Sequence, residues 1–254
     1  MKSWVLSPDT AHLIHLLFEW LAIAVGVQIY RWQRAQHQQT GILASGHFGV
    51  IFACILGAAI GNKAVFWIEH PHLWQGLQTH LALLLSGQSI VGGLLGGLIG
   101  VEIGKFILHQ KQSTGDNFVL PLIIAMSIGR LGCFLVGLND GTFGIPTTMP
   151  WGVDFGDGIS RHPTQLYDIV FVCAWGGWLW QHHQRWQTQA GLMFKLYLAG
   201  YLVWRLCIDS LKPLSFDYGF GLSGIQLTCL LALVFYLPLC LRQLQQALRT
   251  NSAN

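Results

Sequence analysis

The feature that most constrains this chain is a series of seven long apolar stretches. Each is about 20 residues long, the length that an α-helix needs to cross the hydrocarbon core of a bilayer. Only 10% of the 254 residues are charged, whereas soluble domains carry about 25%. We therefore predict an all-α polytopic membrane protein, a single integral membrane domain over residues 1–254 with a long extracytoplasmic loop between helices four and five. The seven predicted transmembrane helices cover residues 11–30, 44–68, 86–108, 118–138, 163–180, 191–211 and 222–241.

The positions of lysine and arginine predict the orientation in the membrane. Cations close or follow the first, third, fifth and seventh stretches, among them Arg31, Lys105, Arg185 and Arg242. These ends lie on one side if all seven stretches cross, and positive charge accumulates on the cytoplasmic side. The rule places the N-terminus outside and the C-terminus in the cytoplasm. The loop over residues 139–162 is then extracytoplasmic.

Several function classes are disfavoured by the motifs. No basic run is interleaved with aromatic residues, so we expect no nucleic-acid partner. The eleven histidines include no His-Glu-x-x-His sequence, and His12 and His15 lie near a predicted helix end, so we expect no metal. No cofactor is expected either. The six cysteines all fall in apolar stretches, which favours packed side chains.

The third stretch contains a ladder of glycines at every fourth position, from Gly92 through Gly96 and Gly100 to Gly104. No Gly-Lys-Ser/Thr sequence follows, which disfavours a phosphate-binding loop. Small residues at this spacing let helices approach closely in lipid. The ladder therefore predicts a helix-packing surface.

Two arginines lie deep inside predicted helices, where a charge costs several kcal/mol unless it faces a polar cavity, a partner or a ligand. Asp209 follows Arg205 by four residues, so both lie on one helix face. Arg130 has no evident acidic partner, because Asp140 is ten residues later. A guanidinium presents a planar fork to phosphate oxygens, and phospholipid head groups supply phosphate esters in a bilayer. We predict that both arginines bind an anionic phospholipid. A structural ion pair is the alternative.

The loop over residues 139–162 is rich in glycine and proline and long for a connection, which favours a functional loop. Its residues Met149, Trp151 and Phe155 suit a position on the membrane surface. The loop ends at Arg161 and His162.

Three polar side chains are predicted at the outer mouth of the fifth helix: Arg161, His162 and Gln165. Pro163 suits the first turn of that helix. Histidine titrates near neutral pH and is the usual group for proton transfer, so His162 is the predicted general base. A helix-capping or interfacial histidine is the alternative.

A set of short motifs, spread over nearly the whole chain, carries a family resemblance. The motifs are Gly129-Arg130-Leu131-Gly132-x-Phe134 with Gly137 and Gly141, Trp151-Gly152-Val153, Arg161-His162-Pro163-Thr164-Gln165-Leu166-Tyr167 followed by Asp168 where the family usually has glutamate, Arg205-x-x-x-Asp209, and Gly224-Ile225-Gln226-Leu227. In these motifs the chain resembles the prolipoprotein diacylglyceryl transferase family.

The resemblance implies a seven-span transferase of the bacterial cytoplasmic (inner) membrane that acts in lipoprotein biosynthesis. It implies transfer of a diacylglyceryl group from phosphatidylglycerol, or another anionic phospholipid, to the cysteine of a lipobox-containing preprolipoprotein. The acceptor thiolate attacks a glycerol carbon, and cations neutralise charge on the leaving phosphate. The predicted catalytic residues are Arg130, Arg205, Asp209 and His162, and the predicted substrate-binding residues are Gly129, Asn139, Gly141, Arg161 and Gln165.

The chain departs from the family pattern at several positions. Val91 stands in place of the family's catalytic histidine, Leu21 in place of a tyrosine, Ala59 in place of an arginine and Cys133 in place of an asparagine. A non-catalytic phospholipid-binding membrane protein is therefore an alternative.

An intramembrane serine protease is a further alternative, because Gly221-Leu222-Ser223-Gly224 matches the Gly-x-Ser-Gly motif of rhomboid-type enzymes. No histidine follows His183 to complete that mechanism. Ser223 is therefore predicted to cap or pack the start of the seventh helix.

Overall fold

The computed structural model describes residues 6–36, 48–76, 81, 83–85, 87–110, 115–186 and 189–252. Seven helices of at least 17 residues account for most of this part of the chain. Each coincides with one of the predicted apolar stretches, although several ends differ. The helices are α1 (Pro8–Gln36), α2 (Phe48–Glu69), α3 (Ile90–Ile107), α4 (Val119–Val136), α5 (Thr164–Gln181), α6 (Leu192–Ile208) and α7 (Gly224–Ser252).

Short elements join these helices. Two antiparallel strands, β1 (Val153–Asp154) and β2 (Ser160–Arg161), form a small hairpin in which Val153 is opposite Arg161. The remaining short elements are a helical turn at His183–Trp186 and 3-10 turns at Pro71–Gly76, Gly115–Phe118, Gly137–Asp140 and Asp209–Leu211.

Five helical segments of the described residues are long and apolar enough to cross a membrane. The chain is therefore a largely helical membrane protein, as predicted. Helices α5 and α6, which carry Gln165, Asp168 and Arg205, do not meet the same test. The arrangement of seven spans with an outer loop remains a prediction. The five segments are Pro8–Gln36, Phe48–Glu69, Ile90–Ile107, Gly115–Asp140 and Gly224–Arg249.

The chain divides into two compact units, described separately below. The first unit comprises Met1–Gln33, Thr114–Pro213 and Gln243–Asn254, and the second comprises Arg34–Ser113 and Leu214–Arg242.

The first unit is built on close contacts of glycines with neighbouring helices. A Cβ at Gly176 of α5 would lie 2.4 Å from Ile123 Cγ1 of α4, and one at Gly200 of α6 would lie 2.3 Å from Trp175 Nε1 of α5. These positions let α4, α5 and α6 approach closely. The polar side chains on their facing sides are thereby buried together.

Helix α1 packs against α4 in the same unit. A Cβ at Gly132 would lie 2.4 Å from Phe18 Cβ, and one at Gly26 would lie 3.4 Å from Ala125 Cβ. The order of these pairs shows that the two helices are antiparallel. The start of α1 therefore lies beside the end of α4.

The second unit confirms the predicted glycine packing surface. A Cβ at Gly57 of α2 would lie 2.3 Å from the Gly96 carbonyl oxygen of α3, and one at Gly61 would lie 2.3 Å from the Gly92 carbonyl oxygen. The backbones of α2 and α3 are in direct contact, which larger side chains would prevent. Lys63 of α2 donates hydrogen bonds to the carbonyl oxygens of Leu85 and Gly87.

Helix α7 begins with a capping box in the second unit. Ser223 Oγ accepts a hydrogen bond from the Gln226 amide at 3.1 Å, and Gln226 Oε1 accepts one from the Ser223 amide at 3.0 Å. Each side chain thus satisfies the other's backbone. The predicted capping role of Ser223 is confirmed.

The loop over residues 139–162 belongs to the first unit and is fastened to the end of α6. The Ile145 amide donates to the Leu211 carbonyl oxygen at 2.8 Å, and the Gly144 amide donates to the His162 carbonyl oxygen at 3.0 Å. Phe155 was predicted at the membrane surface, but this was wrong. Its side chain is 3% exposed and packs edge-on against Phe134, because burying both rings removes apolar surface from water.

Candidate functional site

Arg130 of α4 forms an ion pair with a carboxylate of α5. Its Nε lies 3.0 Å from Asp168 Oδ2 of α5, and both side chains are almost fully buried. No acidic partner of Arg130 was evident from the sequence, and the structure corrects this with Asp168. Asp168 is held further by Trp204 of α6, whose Nε1 donates to Asp168 Oδ1 at 2.7 Å.

A second arginine meets the same carboxylate. Arg205 Nη1 lies 3.5 Å from Asp168 Oδ2, so Asp168 lies between the two guanidinium groups. Arg205 also donates from Nη2 to both carboxylate oxygens of Asp209, at 2.6 and 2.9 Å. The predicted pairing of Arg205 with Asp209 is confirmed, and it fixes the orientation of the guanidinium.

Lys212 adds a third cation just after α6. Its Nζ lies 3.2 Å from Asp209 Oδ1, and its side chain is 14% exposed. Burial, assisted by the nearby charge of Arg205, lowers the pKa of Lys212 to about 8. Its charge is therefore sensitive to pH near neutrality.

These five residues, Arg130, Asp168, Arg205, Asp209 and Lys212, are called the arginine–aspartate cluster below. With Lys212 protonated, its three cations face two carboxylates, so the cluster carries one net positive charge. The two arginines are 5% and 4% exposed. Buried charge of this kind is costly unless it is compensated. The three cations therefore suit the cluster to bind an anion.

Two uncharged polar side chains lie on the same helix faces as the cluster. Gln165 precedes Asp168 by three residues on α5, and Tyr201 precedes Arg205 by four on α6. Gln165 is 1% exposed, and among the described residues neither of its amide atoms has a hydrogen-bond partner. The buried Nε of Arg205 likewise has no acceptor there. Buried polar atoms are normally satisfied, so these atoms are candidates for hydrogen bonds to a polar ligand.

His162 and Arg161 lie at the start of α5, where the sequence predicted them. His162 Nδ1 is 3.2 Å from the Tyr167 hydroxyl oxygen, which accepts a hydrogen bond from Trp151 Nε1 at 2.7 Å. Arg161 Nη1 donates to Asp157 Oδ1 at 2.7 Å, and this bond lowers the pKa of Asp157. The contacts of both residues that we describe are thus with the loop over residues 139–162 and the first turns of α5.

The remaining predicted substrate-binding residues lie along α4 and its end. Asn139 Nδ2 donates to the Leu6 carbonyl oxygen at 3.3 Å. Gly141 ends the 3-10 turn with φ of 69°, a conformation that favours glycine. No described atom lies within 4 Å of the position of a Cβ at Gly129, the residue next to Arg130 on α4.

Val91 lies on α3 in the second unit. Its side chain is 1% exposed and has no group that can accept a proton. No replacement base can therefore come from this position.

Sequence reasoning missed Asp168 and Lys212. Asp168 was visible as the residue after the Arg161–Tyr167 motif, three residues from Gln165, but its partners are on other helices. Lys212 follows Asp209 by three residues, a spacing that would have allowed an ion pair. Both could have been found by asking which charges compensate a buried arginine.

Several known proteins are similar to this chain in sequence. A relative from Bordetella parapertussis is 28% identical over 196 residues, covering 70% of this chain and 66% of its own length. One from Nitrosomonas europaea is 28% identical over 206 residues, which cover 64% of this chain and 68% of the relative. One from Nitrosospira multiformis is 30% identical over 172 residues, which cover 65% of this chain and 55% of the relative. Each is named phosphatidylglycerol–prolipoprotein diacylglyceryl transferase.

The chain spans just under two thirds, 66%, of the length of the Bordetella relatives. The family model for prolipoprotein diacylglyceryl transferase matches residues 14–242, a range that includes every residue of the cluster. The chain therefore belongs to the prolipoprotein diacylglyceryl transferase family.

Proposed function

We propose that this chain is a diacylglyceryl transferase that moves diacylglyceryl from phosphatidylglycerol to the cysteine thiol of a prolipoprotein. The observation that carries the proposal is the buried arginine–aspartate cluster with one net positive charge. Family membership supports the reaction class. The printed name of the relatives supports the two substrates.

The proposed lipid site matches the charge of its ligand. A phosphodiester carries one negative charge, which equals the excess positive charge of the cluster. Arg130 and Arg205 offer planar forks to phosphate oxygens, and Asp168 and Asp209 hold those forks in place. We assign Gln165 to the head group because its amide is buried and unpartnered among the described residues.

The remaining predicted substrate contacts stay part of the proposal. Gly129 and Gly141 leave space for the lipid, since no described atom lies within 4 Å of a Cβ at either position. Asn139 and Arg161 would act from the end of α4 and from the outer loop.

In the proposed reaction, the acceptor sulfur forms a bond to a glycerol carbon and the carbon–oxygen bond to phosphate breaks. Glycerol phosphate leaves with that electron pair. Arg130, Arg205 and Lys212 stabilise the charge that grows on the leaving oxygen, and fixed charges in a water-poor site are effective for this. The thiol must first lose a proton, and His162 is the candidate acceptor from the sequence.

We further propose that residues 1–254 act as one integral membrane domain with seven spans in the bacterial cytoplasmic membrane. The N-terminus would lie outside and the C-terminus inside. The clustered cations support this orientation. The acceptor protein would then reach the site from the outer side.

The test is a direct measurement of the product. The purified full-length protein is incubated with phosphatidylglycerol and a lipobox peptide, and mass spectrometry follows the added diacylglyceryl mass. Arg205→Ala should weaken lipid binding by about ten- to a hundredfold, because a charge-assisted hydrogen bond contributes about 1.5–3 kcal/mol. Lys63→Ala is the matched control, since Lys63 contacts backbone carbonyls of the second unit.

One observation favours a second function. Val91 is buried and apolar where the family has its catalytic histidine, which suits a phospholipid-binding protein without catalysis. That function predicts tight anionic-lipid binding and no product mass from the wild type with any acceptor peptide. Product from the wild type would reject it.

A further inference from the structure

Three side chains with atoms that bind metal ions meet beside the cluster. They are His15 of α1, Cys133 of α4 and Asp140 of the following 3-10 turn. His15 Nδ1 lies 3.2 Å from Asp140 Oδ1, and one ligand atom from each of the three lies within 4.8 Å of the others. The second oxygen of Asp140 accepts a hydrogen bond from the Thr142 hydroxyl. The Asp140 side chain is 5% exposed.

The separation of His15 and Asp140 fits one edge of a tetrahedral zinc site. Zinc binds imidazole nitrogen and carboxylate oxygen at about 2.0–2.2 Å and thiolate sulfur at about 2.3 Å, so neighbouring ligand atoms are about 3.4–3.6 Å apart. The measured 3.2 Å between His15 and Asp140 is close to that edge. The Cys133 sulfur lies within 4.8 Å of the other two ligand atoms, so it can occupy the third vertex of the tetrahedron.

The position of the three residues connects them with the lipid site. His15 is the eighth residue of α1, about 10 Å along the helix axis, and its side chain is 35% exposed. Cys133 follows Arg130 by three residues and therefore shares its face of α4. Its thiol interacts electrostatically with both Asp140 and Arg130.

We propose that His15, Cys133 and Asp140 bind a Zn²⁺ ion, and that the fourth coordination position takes the acceptor thiolate of the transfer reaction. The second half of this inference rests on the proposed function. Catalytic zinc sites have three protein ligands and one open position, and a thiol that coordinates zinc loses its proton. The sequence predicted no metal because His15 is far in the chain from Cys133 and Asp140, and the three residues form no motif.

The chemistry balances without a histidine at the position of Val91. The acceptor thiol releases its proton to water as its sulfur binds zinc. The sulfur then forms a bond to the glycerol carbon, and the carbon–oxygen bond to phosphate breaks. The electron pair of that bond leaves with glycerol phosphate, beside Arg130.

The metal site is tested by titrating the metal-depleted full-length protein with Co²⁺ and then with Zn²⁺. The wild type should bind one Co²⁺ with a thiolate-to-cobalt absorption band, and Zn²⁺ should remove the band. Cys133→Ser should abolish the band, whereas Cys207→Ser, at an exposed cysteine, should keep it. The absence of the band in the wild type, or its survival in Cys133→Ser, would overturn the proposal.

Two further variants test the metal site independently of Cys133→Ser, which could fail to fold. Thr142→Val removes a hydrogen-bond partner of the ligand Asp140 and should weaken Zn²⁺ binding by about 10- to 100-fold. His15→Ala removes a ligand itself and should weaken Zn²⁺ binding by more than that. His12→Ala, an exposed histidine one turn earlier on α1, is the matched control. Equal Zn²⁺ affinity in His15→Ala and His12→Ala would contradict the site.

The transfer step is measured separately. Depletion of metal should abolish product mass, and Zn²⁺ should restore it. Adding the acceptor peptide should also strengthen the cobalt–thiolate band, because a second thiolate joins the ion. Undiminished product from metal-free protein would overturn the zinc inference and leave the proposed function standing. A bound metal with no product under any condition would instead reject the proposed function.

Discussion

Asp168→Asn is the most informative change in the cluster, because the two side chains have nearly the same shape. The wild-type carboxylate is 1% exposed and lies 3.0 Å from Arg130 and 3.5 Å from Arg205. The amide can still accept the hydrogen bond from Trp204, so the substitution removes mainly the charge. Three cations would then face the single carboxylate of Asp209.

The expected loss of stability follows from this uncompensated charge. Removing one partner of a buried ion pair destabilises a protein by about 3–5 kcal/mol, which corresponds to about 10²- to 10⁴-fold in the unfolding equilibrium. An anionic lipid should restore more stability to Asp168→Asn than to the wild type, because its phosphate supplies the missing charge and binding stabilises the folded state. Asp168→Glu, which keeps the charge, should be less destabilised.

The assay is thermal unfolding in a non-ionic detergent, with and without phosphatidylglycerol. Asp157→Asn is the matched control, because it breaks an ion pair with Arg161 in the loop over residues 139–162 and should change stability little. If Asp168→Asn unfolded with the wild type in the absence of anionic lipid, Asp168 would not be the compensating charge. The description of the cluster as a balanced unit would then be refuted.

Three further predictions concern charge, packing and orientation. Anionic-lipid affinity should fall as pH rises through about 8, because Lys212 has a pKa of about 8 and loses its charge there; Lys212→Met should bind more weakly below that pH and show less pH dependence in a vesicle-binding assay. Gly96→Ala should destabilise the protein in thermal unfolding by about 1–3 kcal/mol, since its Cβ would lie 2.2 Å from a carbonyl oxygen of α2. Gly93→Ala is the control, because the nearest described atoms would lie 4.0 Å from its Cβ. Reporter fusions after Arg34 and at the C-terminus should both be cytoplasmic, and an outer signal from either would contradict the proposed topology.

The positions of the helices could be predicted from the sequence because hydropathy reports directly on transfer into lipid. The stretch predicted over residues 163–180 is observed as Thr164–Gln181, and that over 118–138 as Val119–Val136. The last helix continues to Ser252, well beyond its apolar part. Polar residues extend a helix outside the hydrocarbon core, where hydropathy gives no signal.

The candidate site could be predicted only in part, since helical spacing relates residues within one helix. Arg205 and Asp209 are four residues apart, so their pairing was predictable. The pairing of Arg130 with Asp168 depends on how α4 and α5 are rotated against each other, and a sequence pattern does not give that rotation. The meeting of His15 with Asp140 has the same origin, because it requires the start of α1 to lie beside the end of α4.

The effect of replacing His162 distinguishes two ways in which the acceptor thiol could become a thiolate. A histidine that accepts the thiol proton would make turnover in His162→Ala fall by about 10²- to 10⁴-fold. A zinc-bound thiolate needs no such base, and His162 would then only hold Tyr167, 3.2 Å away. We expect the second outcome, a fall of less than about tenfold, with lipid binding unchanged. Val91→His should not raise turnover, because Leu21 and Cys133 also depart from the family pattern. Product mass from His162→Ala, Val91→His and the wild type, measured in parallel at saturating Zn²⁺, decides the question. A fall of 10²-fold or more in His162→Ala at unchanged Zn²⁺ content would return the role of base to His162.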